Sequence, residues 1–161
     1  MTLVICVAAL LLIVGGTPAV AQLQTTLDIG AGLAGAKGTG AGAVAQLGAE
    51  IRPPRSPVGL RFDGSYHHWA DGFLNGLGDY RAVAATTSLV YHVPTRQVRP
   101  YVLAGGGVYA LQGEHAQVGW TVGAGLEVPL RRYSLLGEVR GHLVNSQYNE
   151  RLTPIIFGIR F

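Results

Sequence analysis

After an apolar leader, hydrophobic and polar positions in this chain alternate with a period of two rather than 3.6, in segments of about ten residues that return eight times. In the first segment Leu23, Thr25, Leu27, Ile29, Ala31 and Leu33 share one face, opposite Gln24, Thr26, Asp28, Gly30 and Gly32. The second, near residues 41–51, sets Ala43, Ala45, Leu47, Ala49 and Ile51 against Val44, Gln46, Gly48 and Glu50. In the third, Val58, Leu60, Phe62 and Tyr66 oppose Arg61, Asp63, Ser65 and His67. The fourth has Val83, Ala85, Thr87, Leu89 and Tyr91 opposite Ala84, Thr86, Ser88 and Val90, and the fifth (101–112) sets Tyr101, Leu103, Tyr109 and Leu111 against smaller residues. The sixth opposes Val118, Trp120, Val122, Ala124, Leu126 and Val128 to Thr121, Gly123, Gly125 and Glu127. The seventh opposes Leu135, Val139 and Leu143 to Glu138, Arg140 and His142. The last ten residues carry Thr153, Ile155, Phe157, Ile159 and Phe161 on one side, with Pro154, Ile156, Gly158 and Arg160 on the other. Ten tilted residues is the length of a strand that crosses a bilayer, so the pattern predicts an all-β, eight-stranded antiparallel up-and-down transmembrane barrel. A barrel removes sheet edges only when its last strand zips to its first, which suits a chain that closes on a strand.

The connections alternate too. Residues 52–57, 94–100 and 129–132 each contain Pro and two Arg, whereas 35–40, 69–79, 112–117 and 146–151 contain no Pro and hold Asp71, Asp79, Glu114 and Glu150. Proline cannot donate to a β-ladder, so its return in every second connection marks strand ends on one rim. The Pro and Arg turns are expected on the periplasmic rim, the others opposite, and Pro154 at the start of the last strand is tolerated. Any extracellular ligand would be sought first at residues 69–79, where Trp69, Phe73 and Leu74 mix with Gly and Asp.

Residues 3–16 form an apolar run followed by Pro18 and Ala19-Val20-Ala21, the layout of a secretory signal with a small-residue cleavage site. We expect residues 1–21 to be a signal peptide and 22–161 the barrel. The run is shorter than the roughly 20 residues of a spanning helix, which argues against an uncleaved anchor, and the first charge, Asp28, comes late for a signal's basic start. Cys6, the only cysteine, leaves with the signal.

Only 13% of the chain is charged and Lys37 is its single lysine, against 48% hydrophobic residues. A water-facing surface usually carries about 25–35% charge, so this chain does not face water all round. A formal charge of +3, dispersed along the chain, gives no footprint for nucleic acid.

The leader, the eight alternating segments, the Arg-bearing turns and the terminal Phe161 together resemble the small eight-stranded outer-membrane barrels of Gram-negative bacteria, the superfamily of the outer membrane protein A transmembrane domain and its opacity-protein relatives. The resemblance implies location in the cell outer membrane, contact with its lipids, and Phe161 as the signal read by the barrel-assembly machinery. That superfamily hosts adhesins, anchors, narrow pores and a few lipid-modifying enzymes, so it names no activity.

Candidate chemistry lies inside. Asp28, Glu50, Arg61, Asp63, Glu127, Glu138, Arg140 and Arg160 take the inward parity, five acids against three bases, with His142 beside them. Unpaired charge in a narrow lumen is costly, so mutual salt bridges and a plugged interior are expected, with a structural or surface-interaction role. Inward glycines, counted as Gly30, Gly32, Gly48, Gly106, Gly123, Gly125 and Gly158, leave a narrow diffusion pore as the alternative.

Residues 138–146 faintly resemble the His-x-Ser stretch of outer-membrane lipid A deacylases, but Val144 stands where the nucleophile belongs and Ser146 lies one step too far. We therefore expect no enzyme, and no cofactor or metal. Gly30-Ala31-Gly32-Leu33-Ala34-Gly35 matches a dinucleotide fingerprint and Glu50 sits at the offset of a ribose ligand, but the segment holds too many further glycines for the helix that site needs. His67 and His68 point to opposite faces of a strand and cannot share a metal. Tyr66, Trp69 and Phe73 are expected to form one interfacial girdle, and Tyr91, Tyr101 and Tyr133 the other, with Arg131 and Arg132 at lipid phosphates. A soluble lipocalin-like carrier is the remaining alternative. It requires the opposite distribution, apolar inside and polar outside.

Overall fold

A computed structural model describes residues 23–36, 41–70, 79–95, 97–112, 115–145 and 151–161. The expected signal peptide, Cys6, most of the 69–79 connection and Ser146 lie outside them. The described residues form eight strands: β1 (Gln24–Ala36), β2 (Ala41–Arg52), β3 (Val58–Trp69), β4 (Tyr80–His92), β5 (Arg99–Leu111), β6 (Gln117–Pro129), β7 (Ser134–Val144) and β8 (Arg151–Arg160). Each pairs antiparallel with its sequence neighbours, and β1 pairs with β8 from Asp28↔Arg160 to Ala36↔Leu152, which closes the barrel. Main-chain bonds between Leu27 and Phe161 extend that seam by one residue, at 2.8 and 3.1 Å.

Alternation sets the two surfaces. The outside is a belt of aliphatic and aromatic side chains, with Leu47 at 63%, Trp120 at 71% and Phe157 at 69% of full exposure. The inside holds Arg61 at 0% and Arg140 at 2%. A water-soluble domain does not expose apolar surface on this scale. Closed pairing removes the free sheet edge along most of each strand, with a break in the β7–β8 ladder between Val139↔Ile155 and His142↔Leu152, beside Pro154. Such a surface suits hydrocarbon, where an unsatisfied backbone group is most expensive. The same distribution rules out the lipocalin-like arrangement, since Val122, Leu126 and Ile159 all face outward.

The Pro and Arg turns (53–57, 93–98, 130–133) share one rim with the first residue of β1 and the last of β8. They are tight. Ser56 N–H donates to Pro53 O at 3.1 Å with Arg55 in the left-handed region (φ 64°), and Leu130 N–H donates to Tyr133 O at 2.8 Å.

β5 corrects the sequence reading. Tyr101, Leu103, Tyr109 and Leu111 are buried in the lumen, while Val102 and Val108 face out. Tyr101 is therefore no girdle residue, and Gly106 points outward beside the Trp120 ring, with Gly105 and Gly107 facing in. Both faces of β5 are apolar enough for lipid, so size is a poor guide. What decides is the phenol oxygen, which finds polar partners only inside. Trp69, expected at the interface, is likewise 1% exposed and lies across the lumen. Tyr66, Tyr91 and Tyr133 do sit on the outer surface, and Phe73 lies outside the described residues.

Candidate functional site: the charge lattice of the lumen

Strand alternation delivers every inward charge to one narrow space, and register decides which charges meet. On β3, Arg61 and Asp63 are two residues apart on the inward face, and Arg61 Nε donates to Asp63 Oδ1 at 2.9 Å. The Arg61 fork then reaches across the barrel, Nη2 to Asp28 Oδ1 on β1 at 2.7 Å and Nη1 to Glu138 Oε2 on β7 at 2.9 Å. One guanidinium thus joins three strands through three carboxylates, the planar multi-donor geometry that lysine lacks. Arg140, two residues beyond Glu138 on β7, repeats the motif: Nε donates to Glu138 Oε1, and Nη1 reaches back to Asp63 Oδ2 at 2.9 Å. Gln46 Nε2 adds a bond to Asp63 Oδ1 at 3.3 Å.

Nearer the Pro and Arg rim, Arg160 Nη1 lies 3.1 Å from Glu127 Oε2 and 3.2 Å from Glu50 Oε2, with Nη2 3.4 Å from Asp28 Oδ2. Arg99 approaches Glu127 at 3.8 Å, and His92 Nε2 sits 2.7 Å from Glu50 Oε1. All eight charged residues singled out in the sequence therefore fall in one connected lattice.

His142 stands apart from the ion pairs. Its Nδ1 is 2.8 Å from Tyr109 Oη, and its ring meets His67 edge-on at 6.0 Å. His67 Nε2 is 3.0 Å from Ser65 Oγ and its ring stacks on Trp69 at 5.8 Å. This hydroxyl and imidazole pair lies beneath Trp69, whose Nε1 donates to Ala34 O at 3.1 Å. Trp69 is the largest member of a buried apolar cap that includes Leu111, Val144, Leu152 and Ile156. Val144, which stands where a deacylase-like nucleophile would be, is buried in that cap.

Two of the inward glycines are taken up by side chains that reach across the lumen. A Cβ on Gly48 would lie 2.5 Å from Asp28 Oδ1 and 2.6 Å from Asp63 Oδ1, and one on Gly125 would run into the Tyr101 ring. These positions are seats for carboxylates and a phenol reaching across the lumen. Sequence parity alone missed Tyr101, whose hydroxyl donates to Glu138 Oε2 at 2.6 Å, and His92 within the lattice, and Tyr109 and Trp69 beyond it, while Gln46 was placed on the inward face but given no role. The signal for His92 was its even position on β4, in phase with Ser88 and Val90. The tyrosines gave none short of knowing their cross-barrel partners. Among the described residues no group of three or more His, Cys, Asp or Glu is placed to hold a metal ion.

Comparison with known proteins yields matches by structure alone. No protein-family model matches the chain, and neither does any curated protein. Among solved structures, Neisserial surface protein A superposes with a TM-score of 0.67 at 20% identity, over 86% of this chain and 97% of that one. The outer membrane enzyme PagL gives 0.60 at 18% identity, over 83% and 98%. The N-terminal β-barrel domain of Pseudomonas aeruginosa OprF gives 0.58 at 18%, over 87% and 100%. The match to each is nearly full length, with a closed eight-stranded antiparallel meander in this chain. This chain therefore has the fold of the small eight-stranded outer-membrane barrels.

Proposed function

We propose that the chain is an integral outer-membrane protein with a structural or surface-interaction role, a sealed lumen and no catalytic chemistry of its own. The observation that carries the reading is the Arg61 and Arg140 lattice, closed by ion pairs of 2.7–2.9 Å, beneath the Trp69 cap. A channel needs a continuous wet path, and here the cross-section is taken by guanidinium and carboxylate groups bonded to one another. The apolar belt supports residence in lipid, and the expected signal peptide supports export across the inner membrane. In that arrangement the Pro and Arg rim faces the periplasm, the 69–79 connection faces outward, and Phe161 serves the assembly machinery during insertion. Against enzymatic use, His67 is buried and His142 is engaged by Tyr109.

Planar-bilayer recording of the refolded chain tests the reading. Silence is expected across voltages that open porins, with heat-modifiable migration on a gel showing that the barrel is folded. Steady single-channel steps from folded protein would overturn it in favour of a narrow pore.

A further inference from the structure

At the Pro and Arg rim the lumen opens into a cavity of about 560 Å³ whose wall runs from Glu50, Glu127 and Arg160 inside the barrel to Leu130, Tyr133 and Phe161 on its outer edge. Arg52, Arg99, Arg131 and Arg132 line the same cavity. The two carboxylates are already engaged: Glu127 by Arg160 and Arg99, Glu50 by Arg160 and His92. Arg52, Arg131 and Arg132 have no ion-pair partner among the described residues. Arg160 is 4% exposed, lines this cavity, and its Nε has no hydrogen-bond partner. The β6–β7 turn, closed by Leu130 N–H to Tyr133 O, sets Arg131 and Arg132 at its two corner positions. A neighbouring cavity of about 470 Å³ shares Arg52 and Arg99 and adds Arg55.

Three unpaired guanidiniums around one hollow call for an anion. The outer edge adds a second requirement, because Leu130, Tyr133 and Phe161 are all exposed there, the apolar and aromatic mix that suits a membrane interface. A small soluble anion would satisfy the cations and leave that edge bare. An occupant with a charged head and an apolar body satisfies both.

We propose that this cavity is a binding site for the phosphodiester headgroup of an anionic phospholipid, its phosphate held by Arg52, Arg131 and Arg132 and its acyl chains lying down the wall past Tyr133 and Phe161. The site rests on the membrane reading above. It differs from general attraction to an anionic surface in that it is one hollow with one lipid.

Native mass spectrometry of the full refolded barrel, titrated in detergent with phosphatidylglycerol, phosphatidylcholine or inorganic phosphate, tests it. One phosphatidylglycerol should be retained in preference to phosphatidylcholine, and inorganic phosphate at millimolar concentration should not displace it. Replacing Arg52, Arg131 and Arg132 together with Ala should weaken retention on the order of a hundredfold, from roughly 1 kcal/mol for each of three cations. Arg151→Ala, on the opposite rim, should leave it unchanged. Equal loss in both variants, no loss in the triple variant, or equal retention of the two lipids would overturn the site, and full displacement by inorganic phosphate would reassign it to a free anion. Heat-modifiable insertion of the triple variant into neutral vesicles keeps the two readings separate: a chain that inserts but does not select the lipid loses this site alone, whereas a wild-type chain that never inserts loses the membrane reading.

Discussion

The two ends of the lumen are filled by opposite means. Toward the 37–40 and 70–79 connections the filling is apolar and aromatic: Trp69 lies over Leu111, Val144, Leu152 and Ile156 with one indole bond to Ala34 O. Toward the other rim it is ionic, with Arg61, Arg140 and Arg160 threaded among five carboxylates. The apolar end is made of pieces that can each be trimmed at the local price of a cavity. The ionic end is a network in which each member is the counter-charge of two or three others, so removing one strands the rest. Rigidity should therefore sit with the ionic half, even though buried ion pairs contribute little net stability over well-packed apolar groups.

Arg61→Met gives the sharpest test of that difference. It leaves Asp63 and Glu138 with Arg140 as their one ion-pair partner among the described residues, and Asp28 with Arg160 at 3.4 Å. Breaking one buried pair costs about 3–5 kcal/mol, and a loss near the top of that range is expected from urea unfolding in vesicles. Adding Asp28→Asn should recover part of the loss, because the stranded charge goes with it. A double variant no better than Arg61→Met would mean the lattice is not coupled as drawn.

Trp69→Ala addresses the other half. The expected loss is about 3–4 kcal/mol from lost burial and the cavity left behind, with no second substitution in the ionic half able to restore it. Bilayer recordings should stay silent, since the Arg61 and Arg140 lattice still crosses the lumen. Conductance in this variant would show that the indole, rather than the guanidiniums, is the seal. Gly125→Ala probes the packing within the ionic half, where an added methyl meets the Tyr101 ring. Overpacking of this kind costs about 1–3 kcal/mol, and a pairing with Tyr101→Leu should lower that cost.

The ionic half was more legible in the sequence than the apolar one, for a physical reason. A charge in a strand whose other face is Leu, Ile and Val can take only one side, so Asp28, Glu50, Glu127, Glu138 and Arg160 declare their parity locally. Nothing local does so on β5, where Tyr101 and Leu103 alternate with Val102 and Ala104 around Gly105–Gly107. The inward choice there is made by Glu138 and His142 on β7, 37 and 33 residues away. Trp69 misleads for the same reason: a tryptophan at a strand end is at home in an interface, and only the carbonyl of Ala34, two strands away on β1, shows that it turns in. Strand number, pairing order and the rim of each turn follow from period and proline placement. Which inward group bonds which does not, because it depends on register around the closed circle.

The smallest expected effect belongs to the residue that joins the two strategies. Tyr101 is an aromatic filler seated on Gly125, yet its hydroxyl donates to Glu138 Oε2 at 2.6 Å and the Arg160 guanidinium lies over its ring, 5.6 Å from the centroid. Tyr101→Phe keeps the filler and the cation contact and removes one donor. Glu138 Oε2 still accepts from Arg61 at 2.9 Å, so the carboxylate is not orphaned, and the loss should fall at the low end for a bond to a charged acceptor, about 1.5 kcal/mol. Tyr101→Leu removes the ring as well and should cost more. If the two variants unfold at the same urea concentration, the ring contributes nothing there, and Tyr101 serves the lumen through its hydroxyl alone.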